Sequence, residues 1–352
     1  MGSSPVDRHP ALRRVRSLLL RSPAVVQAAR TLYRWPPLTR TRPFKRFVMH
    51  RVDAAERALP ELTPRVAIET VLTCNARCVM CVHSERRMVG VMDMGLFERL
   101  IEQLAAWGVR DVCLSIYGEP MVDRQWLDRV RIVRAAGLRY SFFSNASMLT
   151  EDVATAMLEL GGWTEVNFSV NGFSKAVYEA VMPPLKRERV YGNLARFLEL
   201  KLAKGGEQPK VTVSCIALRE NVHELREYQR WWSAQPGVDR VSIGSRTDWL
   251  GELERTDAGQ AVRNRLRVVA GDTWHTPCPT LWSSMFVYHD GRVSPCCEDA
   301  AARKLIVGDA NAASLREIFH GPALRSLREQ HAADRRREHA VCGSCHANWP
   351  WV

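Results

Sequence analysis

Thr73-Cys74-Asn75-Ala76-Arg77-Cys78-Val79-Met80-Cys81 places three thiols within eight residues. The stretch directly follows residues 66–72, an apolar run rich in β-branched side chains that reads as a strand. Thiolates are soft ligands and favour iron–sulfur clusters, zinc or copper(I). A structural zinc site takes four ligands. Three close cysteines with no fourth nearby suggest a cluster with one iron left open to an exogenous ligand. The run alone would also suit a zinc site completed from a distance.

Outward from this stretch the chain alternates between two periodicities. Strands read at residues 66–72, 111–117, 138–143, 165–170, 210–218 and 238–243. Helices read between them at about 94–107, 123–136, 150–160, 190–204 and 221–233. Thr150 can cap the third helix, and Asn221 with Glu224 resembles a capping box for the last. Six βα units in succession argue for an α/β fold with a parallel sheet or barrel, because parallel strands need crossover helices. The repeat stops after Ser245, and 246–275 is irregular. Residues 285–295 then read as a β-hairpin turning at Asp290-Gly291. A helix follows, opened by the capping box Ser314-Leu315-Arg316-Glu317 and running to about Ala333.

The cysteine run, CxxxCxxC at the end of the first strand, resembles the signature of the radical S-adenosylmethionine (radical SAM) superfamily. Tyr117-Gly118-Glu119-Pro120 ends the second strand and resembles that family's GGEP motif, which holds the methionine amine. Ser144-Asn145-Ala146 ends the third, where the family often has Thr-Asn-Gly. Ser169-Val170-Asn171-Gly172 ends the fourth, where relatives carry Ser-x-Asp-Gly near the ribose and carboxylate. All four lie at the carboxyl ends of strands, the face where βα barrels keep their active sites. The resemblance covers about residues 65–245 and implies a partial (β/α)6 TIM-like barrel. It implies Cys74, Cys78 and Cys81 as ligands of a [4Fe–4S] cluster. It implies Met80, Tyr117, Gly118, Glu119, Pro120, Asn145, Ser169 and Asn171 as contacts of S-adenosylmethionine. The departures are Tyr117 for the first glycine, Met80 for a common aromatic, and Ala146 and Asn171 for Gly and Asp.

A second set of cysteines lies near the C-terminus: Cys278, Cys296, and Cys342 with Cys345 in a CxxC. Spacing alone fits a four-cysteine zinc knuckle. The arrangement also resembles the opening of the SPASM domain, the cysteine-rich cap of many radical SAM enzymes. With no cysteine after Cys345 it is similar to the shorter "twitch" variant, which implies these four as ligands of one auxiliary [4Fe–4S] cluster. Three cysteines remain. Cys113 and Cys215 read first as small core residues, although Cys215, in the fifth strand, could face a barrel lumen. Cys297 follows Cys296 directly, and Cys297 and Cys215 are the candidate thiol hydrogen donors to a substrate radical.

Charge divides the chain unevenly. The whole carries +12, yet residues 1–60 hold 13 basic and three acidic residues, leaving only +2 for the rest. Hydrophobic residues make up 46%, which excludes disorder. No apolar run approaches the ~20 residues of a membrane span. Leu18–Leu20 is cut off by Arg21, too short for an export signal, so the cysteines are expected in a reducing cytoplasm. The expected organisation is a basic, mainly helical extension (1–64), a radical SAM barrel (65–245), and a linker with the auxiliary-cluster domain (246–352). The basic arm lacks the aromatic interleaving of a nucleic-acid platform, so no nucleic acid is expected. An acidic electron donor such as flavodoxin or ferredoxin is the expected protein partner. The resemblance implies hydrogen abstraction by a 5′-deoxyadenosyl radical. The expected substrate is a carbohydrate or glycoside natural product, epimerised or oxidised at an alcohol. The alternative is radical modification of a ribosomally made peptide.

Overall fold

The computed structural model describes residues 36–39, 41–245, 276–299, 301–343, 345 and 351. Strands β1 (Arg65–Ile68), β2 (Asp111–Cys113), β3 (Arg139–Ser144), β4 (Trp163–Ser169), β5 (Lys210–Ala217) and β6 (Arg240–Ser245) pair in parallel, each beside the next. The crossovers include α3 (Met94–Ala106), α4 (Trp126–Ala135), α5 (Glu151–Leu160), α6 (Lys175–Val181), α7 (Arg187–Ala203) and α8 (Leu225–Ser233). Two further helices, α1 (Pro36–Thr39) and α2 (Arg42–Ala58), precede the sheet in sequence.

Side chains alternate between the two faces of a strand. The rows Phe142–Val166–Val211 and Phe168–Val213–Val241 lie on one face. This face is covered by helices: Trp163 and Phe168 lie 5.1 and 5.5 Å from the ring of Phe197 in α7. A fully buried Phe such as Phe197 contributes about 1.5–3 kcal/mol. The opposite, inner face carries the rows Cys113–Ser141–Glu165, Phe143–Asn167–Thr212 and Ser169–Ser214–Ser242. Phe143 there is 52% exposed, so the sheet curves as an open barrel rather than a filled one.

The C-terminal hairpin forms as its turn residues predict. β7 (Ser284–Val287), which follows the short α9 (Thr280–Ser283), pairs antiparallel with β8 (Arg292–Ser294), and β9 (Gly308–Asp309) follows. β7 pairs in parallel with β1, so the hairpin extends the barrel's own sheet into nine strands, ordered β6-β5-β4-β3-β2-β1-β7-β8-β9.

Two sequence-based helix readings need correction. Ser314 and Glu317 form a full capping box, but the helix to Ala333 is two helices, α10 (Leu315–His320) and α11 (Pro322–Ala332). Gly321 intervenes where a Cβ would lie 2.9 Å from Glu317 O, and Pro322 suits the first position of a new helix. Asn221 makes no side-chain cap, and α8 begins at Leu225 instead. Thr150 does cap α5, accepting from Val153 N.

Chain packing groups residues 61–261 and 280–328 as one unit, and 1–60, 262–279 and 329–352 as another. In the second unit Thr41 caps α2, which buries Phe44, Val48 and Val52 at helical spacing. The irregular stretch read at 246–275 lies outside the described residues. Among the described residues no helix is long and apolar enough to cross a membrane.

A candidate active site around three thiols

β1 ends early because its sequel is recruited elsewhere. Leu72 N donates to Gly90 O, and the loop behind it carries Cys74, Cys78 and Cys81. Backbone bonds from Arg77 N to Pro183 O (2.6 Å) and Val79 N to Val181 O (3.0 Å) tie this loop to the last residue of α6 and the segment after it. Burial pushes the Cys74 thiol up to about 12, and burial with the neighbouring thiols pushes Cys78 well above its ordinary value. Cys81 is raised too, chiefly by burial. Such a set ionises only against a bound cation, and a coordinating thiol is deprotonated outright.

Among the described residues no three His, Cys, Asp or Glu converge as a single metal ion would need. A cubane instead takes one thiolate at each of separate irons, and three soft donors suit it. A cavity of about 480 Å³ opens beside Cys74, lined also by Asn75, Arg77, His83, Arg87 and Met88. His83 is buried, its pKa lowered by that burial, and its Nε2 has no partner. An orphaned buried ring nitrogen at a cavity beside three thiols fits a bound cofactor.

The segment after β2 supplies a carboxylate. Glu119 accepts from Asn145 N (2.7 Å), Ser144 Oγ (3.0 Å) and Met121 N (3.3 Å), yet burial still raises its carboxyl to about 7. Gly118 lies so close to the cysteine loop that a Cβ would meet Val71 O at 2.3 Å and Thr73 O at 2.7 Å. Pro120 starts the short 3-10 turn Pro120–Val122. Asn145 Nδ2 donates to Asn75 Oδ1 (2.9 Å), and Asn75 Nδ2 donates to Ser147 Oγ (2.8 Å). Ala146, where the family often has glycine, takes a left-handed φ of 58°. Met80 is buried within the loop.

Ser169 closes β4, half-buried on the inner face. Asn171 is committed to structure: its Oδ1 accepts from Ile216 N (2.8 Å), and its carbonyl accepts from Asn221 Nδ2 (3.1 Å). Asn221 does not cap because its Oδ1 accepts instead from Leu218 N (2.8 Å). Cys215 takes the core place read for it first, whereas Cys113 lies on the inner face. Cys215 is 1% exposed, on the helix-covered face with Val213, and Asn221 Nδ2 lies 3.4 Å from its sulfur. Its side chain is turned away from the lumen, which corrects the lumen-facing option. Cys113 is the residue whose row faces inward, though at the level of Ser141, below the strand ends.

Glu69, missed in the sequence, is fully buried right after β1. It accepts from Arg303 Nη2 (2.7 and 2.9 Å) and lies 2.9 Å from His289 Nδ1. The pair ties the start of the cysteine loop to the hairpin and the segment after Cys297. A charged residue closing an apolar strand was its available signal, and Asn75 and His83 had none.

Cys296 and Cys297, half-buried, follow β8 in this unit; Cys296 N donates to Ser294 Oγ. Cys278, Cys342 and Cys345 belong to the other unit. There Cys278 N donates to His331 Nδ1 (3.1 Å), whose burial lowers its pKa to about 3. Arg336 and Trp351 hold the carbonyls of Thr276 and Pro277, and Cys342 N donates to His339 Nδ1.

Residues 68–231 match the Radical SAM superfamily, and residues 278–346 match SPASM, an iron-sulfur cluster-binding domain. A cofactor-modifying protein for the tungsten-containing aldehyde ferredoxin oxidoreductase of Pyrococcus furiosus is 25% identical over 51% of this chain and 50% of its own. GTP 3′,8-cyclase of Marinobacter nauticus is 26% identical over 54% of this chain and 55% of its own. The chain thus spans about half the length of the curated relatives it matches. Among solved structures, BtrN in complex with AdoMet and 2-DOIA aligns with a TM-score of 0.52 at 18% identity, covering 81% of this chain and 94% of that one. SuiB of Streptococcus suis bound to precursor peptide SuiA aligns at 0.58 and 13% identity, covering 79% and 70%. The first domain implies S-adenosylmethionine and a [4Fe–4S] cluster, and the second implies auxiliary iron–sulfur clusters. The chain thus carries a radical SAM domain followed by a SPASM domain.

Proposed function

We propose that this protein is a radical SAM epimerase or dehydrogenase acting on a ring carbon of a carbohydrate natural product. Cys74, Cys78 and Cys81 would hold three irons, with the Glu119 carboxylate receiving the ammonium of S-adenosylmethionine. Met80, Tyr117, Gly118, Pro120, Asn145, Ser169 and Asn171 would shape the rest of that pocket. Asn171 would do so through the backbone it holds. Cys278, Cys296, Cys342 and Cys345 would hold one auxiliary cluster. When bound, these cofactors supply the hydrogen-abstracting 5′-deoxyadenosyl radical.

The inner face of the sheet is the observation that carries the substrate class. It presents Ser141, Asn167, Ser169, Thr212 and Ser214, short hydroxyl and amide side chains at successive levels. Such groups match the hydroxyls of a sugar ring, and the exposed ring of Phe143 suits its C–H face. In the oxidation branch the substrate radical would lose its hydroxyl proton and one electron, leaving a ketone, and the auxiliary cluster that Cys278, Cys296, Cys342 and Cys345 would hold would supply the acceptor. In the epimerisation branch the Cys297 S–H transfers its hydrogen atom to the opposite face. The resulting thiyl then regains one electron and one proton. An acidic flavodoxin- or ferredoxin-type donor in a reducing cytoplasm would supply the electrons.

The test is turnover of reconstituted enzyme, with about eight irons per chain, on a panel of glycosides and of precursor peptides in heavy water. A glycoside that loses two hydrogens identifies the dehydrogenase, and one that gains a deuterium identifies the epimerase. Modification of peptides alone would overturn the carbohydrate reading in favour of the peptide-modifying one.

A further inference from the structure

Tyr117 stands where the motif it resembles has a glycine, and the structure gives the extra side chain a defined place. It is 9% exposed. Its ring stacks on His83 at 5.3 Å and 26°, and packs in one apolar cluster with Leu72, Val82, Tyr288 and Ala301. Its hydroxyl accepts from Val82 N at 2.9 Å and lies 3.5 Å from Cys81 Sγ. A phenol has one proton to donate as well as lone pairs to accept with. The Val82 amide occupies a lone pair and not the proton, which is the phenol's means of bonding an acceptor at the Cys81 position. A free Cys81 thiol can itself donate to the phenol, but an iron-bound thiolate has no proton and can only accept.

We propose that Tyr117 is a positioning residue that donates a hydrogen bond to the Cys81 ligand and so raises the reduction potential of the radical SAM cluster. The proposal rests on the reading that Cys81 holds iron. Reduction adds negative charge to the cluster and its sulfurs, and a hydrogen bond to a ligand sulfur stabilises the more negative state. The cluster becomes easier to reduce, by an amount set by a side chain outside the ligand set.

The experiment is a redox titration of the reconstituted full-length enzyme, following the electron paramagnetic resonance signal that changes when S-adenosylmethionine is added. Tyr117→Phe keeps the ring and removes the donor. Replacement of Tyr117 by 3,5-difluorotyrosine keeps the shape and strengthens the donor. The Phe variant is expected to shift the one-electron reduction equilibrium about tenfold towards the oxidised cluster, or about 59 mV. The fluorinated variant is expected to shift it the other way. Opposite signs separate hydrogen bonding from disturbed packing. Equal potentials, or shifts of the same sign in both, would overturn the proposal. Cys81→Ala distinguishes the two layers. If its SAM-responsive signal persists at full iron content, the cluster reading fails. If that signal is lost while the Tyr117 variants leave the potential unmoved, only the tyrosine inference fails.

Discussion

Glu119 is a buried carboxyl with a pKa near neutrality, and its proposed task is to receive an ammonium. Both facts bear on one measurement. Its three hydrogen bonds, from Asn145 N, Ser144 Oγ and Met121 N, favour the ionised form, but loss of solvent outweighs them and raises the carboxyl to about 7. At pH 6 about 9% is ionised and at pH 8 about 91%. If only the carboxylate binds S-adenosylmethionine, apparent affinity scales with that fraction, so Kd is about tenfold larger at pH 6 than at pH 8. The same shift has a stability consequence of opposite sense. A carboxyl raised by burial stabilises the cofactor-free fold fully below its unfolded pKa, and this contribution is lost as pH rises through about 7. Equilibrium dialysis of S-adenosylmethionine against reconstituted, unreduced protein between pH 6 and 8 reads the binding arm without turnover. Glu119→Gln should bind weakly and without this pH dependence. Wild-type affinity that stays flat across the range, or a Gln variant that keeps the slope, would refute the assignment.

Two further substitutions probe the scaffold. Gly118→Ala drives a Cβ into Val71 O, Leu72 C and Thr73 O, the backbone that leads into Cys74. Iron content after reconstitution should fall by about four atoms per chain, and full loading would show that this close approach is dispensable. Arg303→Met takes the guanidinium from the fully buried Glu69 charge, leaving it only His289, and should cost about 3–5 kcal/mol in denaturant unfolding. The double variant Glu69→Gln/Arg303→Met removes that charge and should recover much of the loss; no recovery would mean the Arg303 side chain matters for packing rather than charge.

The parts of the fold that were legible in the sequence are those written in local periodicity. Six βα units, the Asp290-Gly291 hairpin and the Ser314–Glu317 capping box all depend on residues within a few positions of one another. The parallel pairing of β7 with β1 joins residues more than 200 apart, and no local pattern encodes it. Both strands are short and apolar, and either could have found another edge. The broken helix at Gly321-Pro322 was legible, since the glycine and proline are adjacent, but the long amphipathic pattern around them masked it.

The cysteine motif and the order of the strand-end motifs are properties of the chain alone. They carry the resemblance to the radical SAM superfamily, whereas soft donors at that spacing by themselves suit either an iron–sulfur cluster or zinc. Which way a strand residue faces depends on register, and a shift of one position exchanges the faces. Cys215 and Cys113 show this: pairing with β6 turns the first into the helix-packed core, and pairing with β3 turns the second inward. The same holds for Glu69 with Arg303 and for Tyr117 with Cys81, which meet only because the fold brings their loops together. A sequence can specify which atoms are able to bind a cluster. The environment that sets their charge, partners and potential is made by burial and long-range contact, and those exist only once the chain is folded.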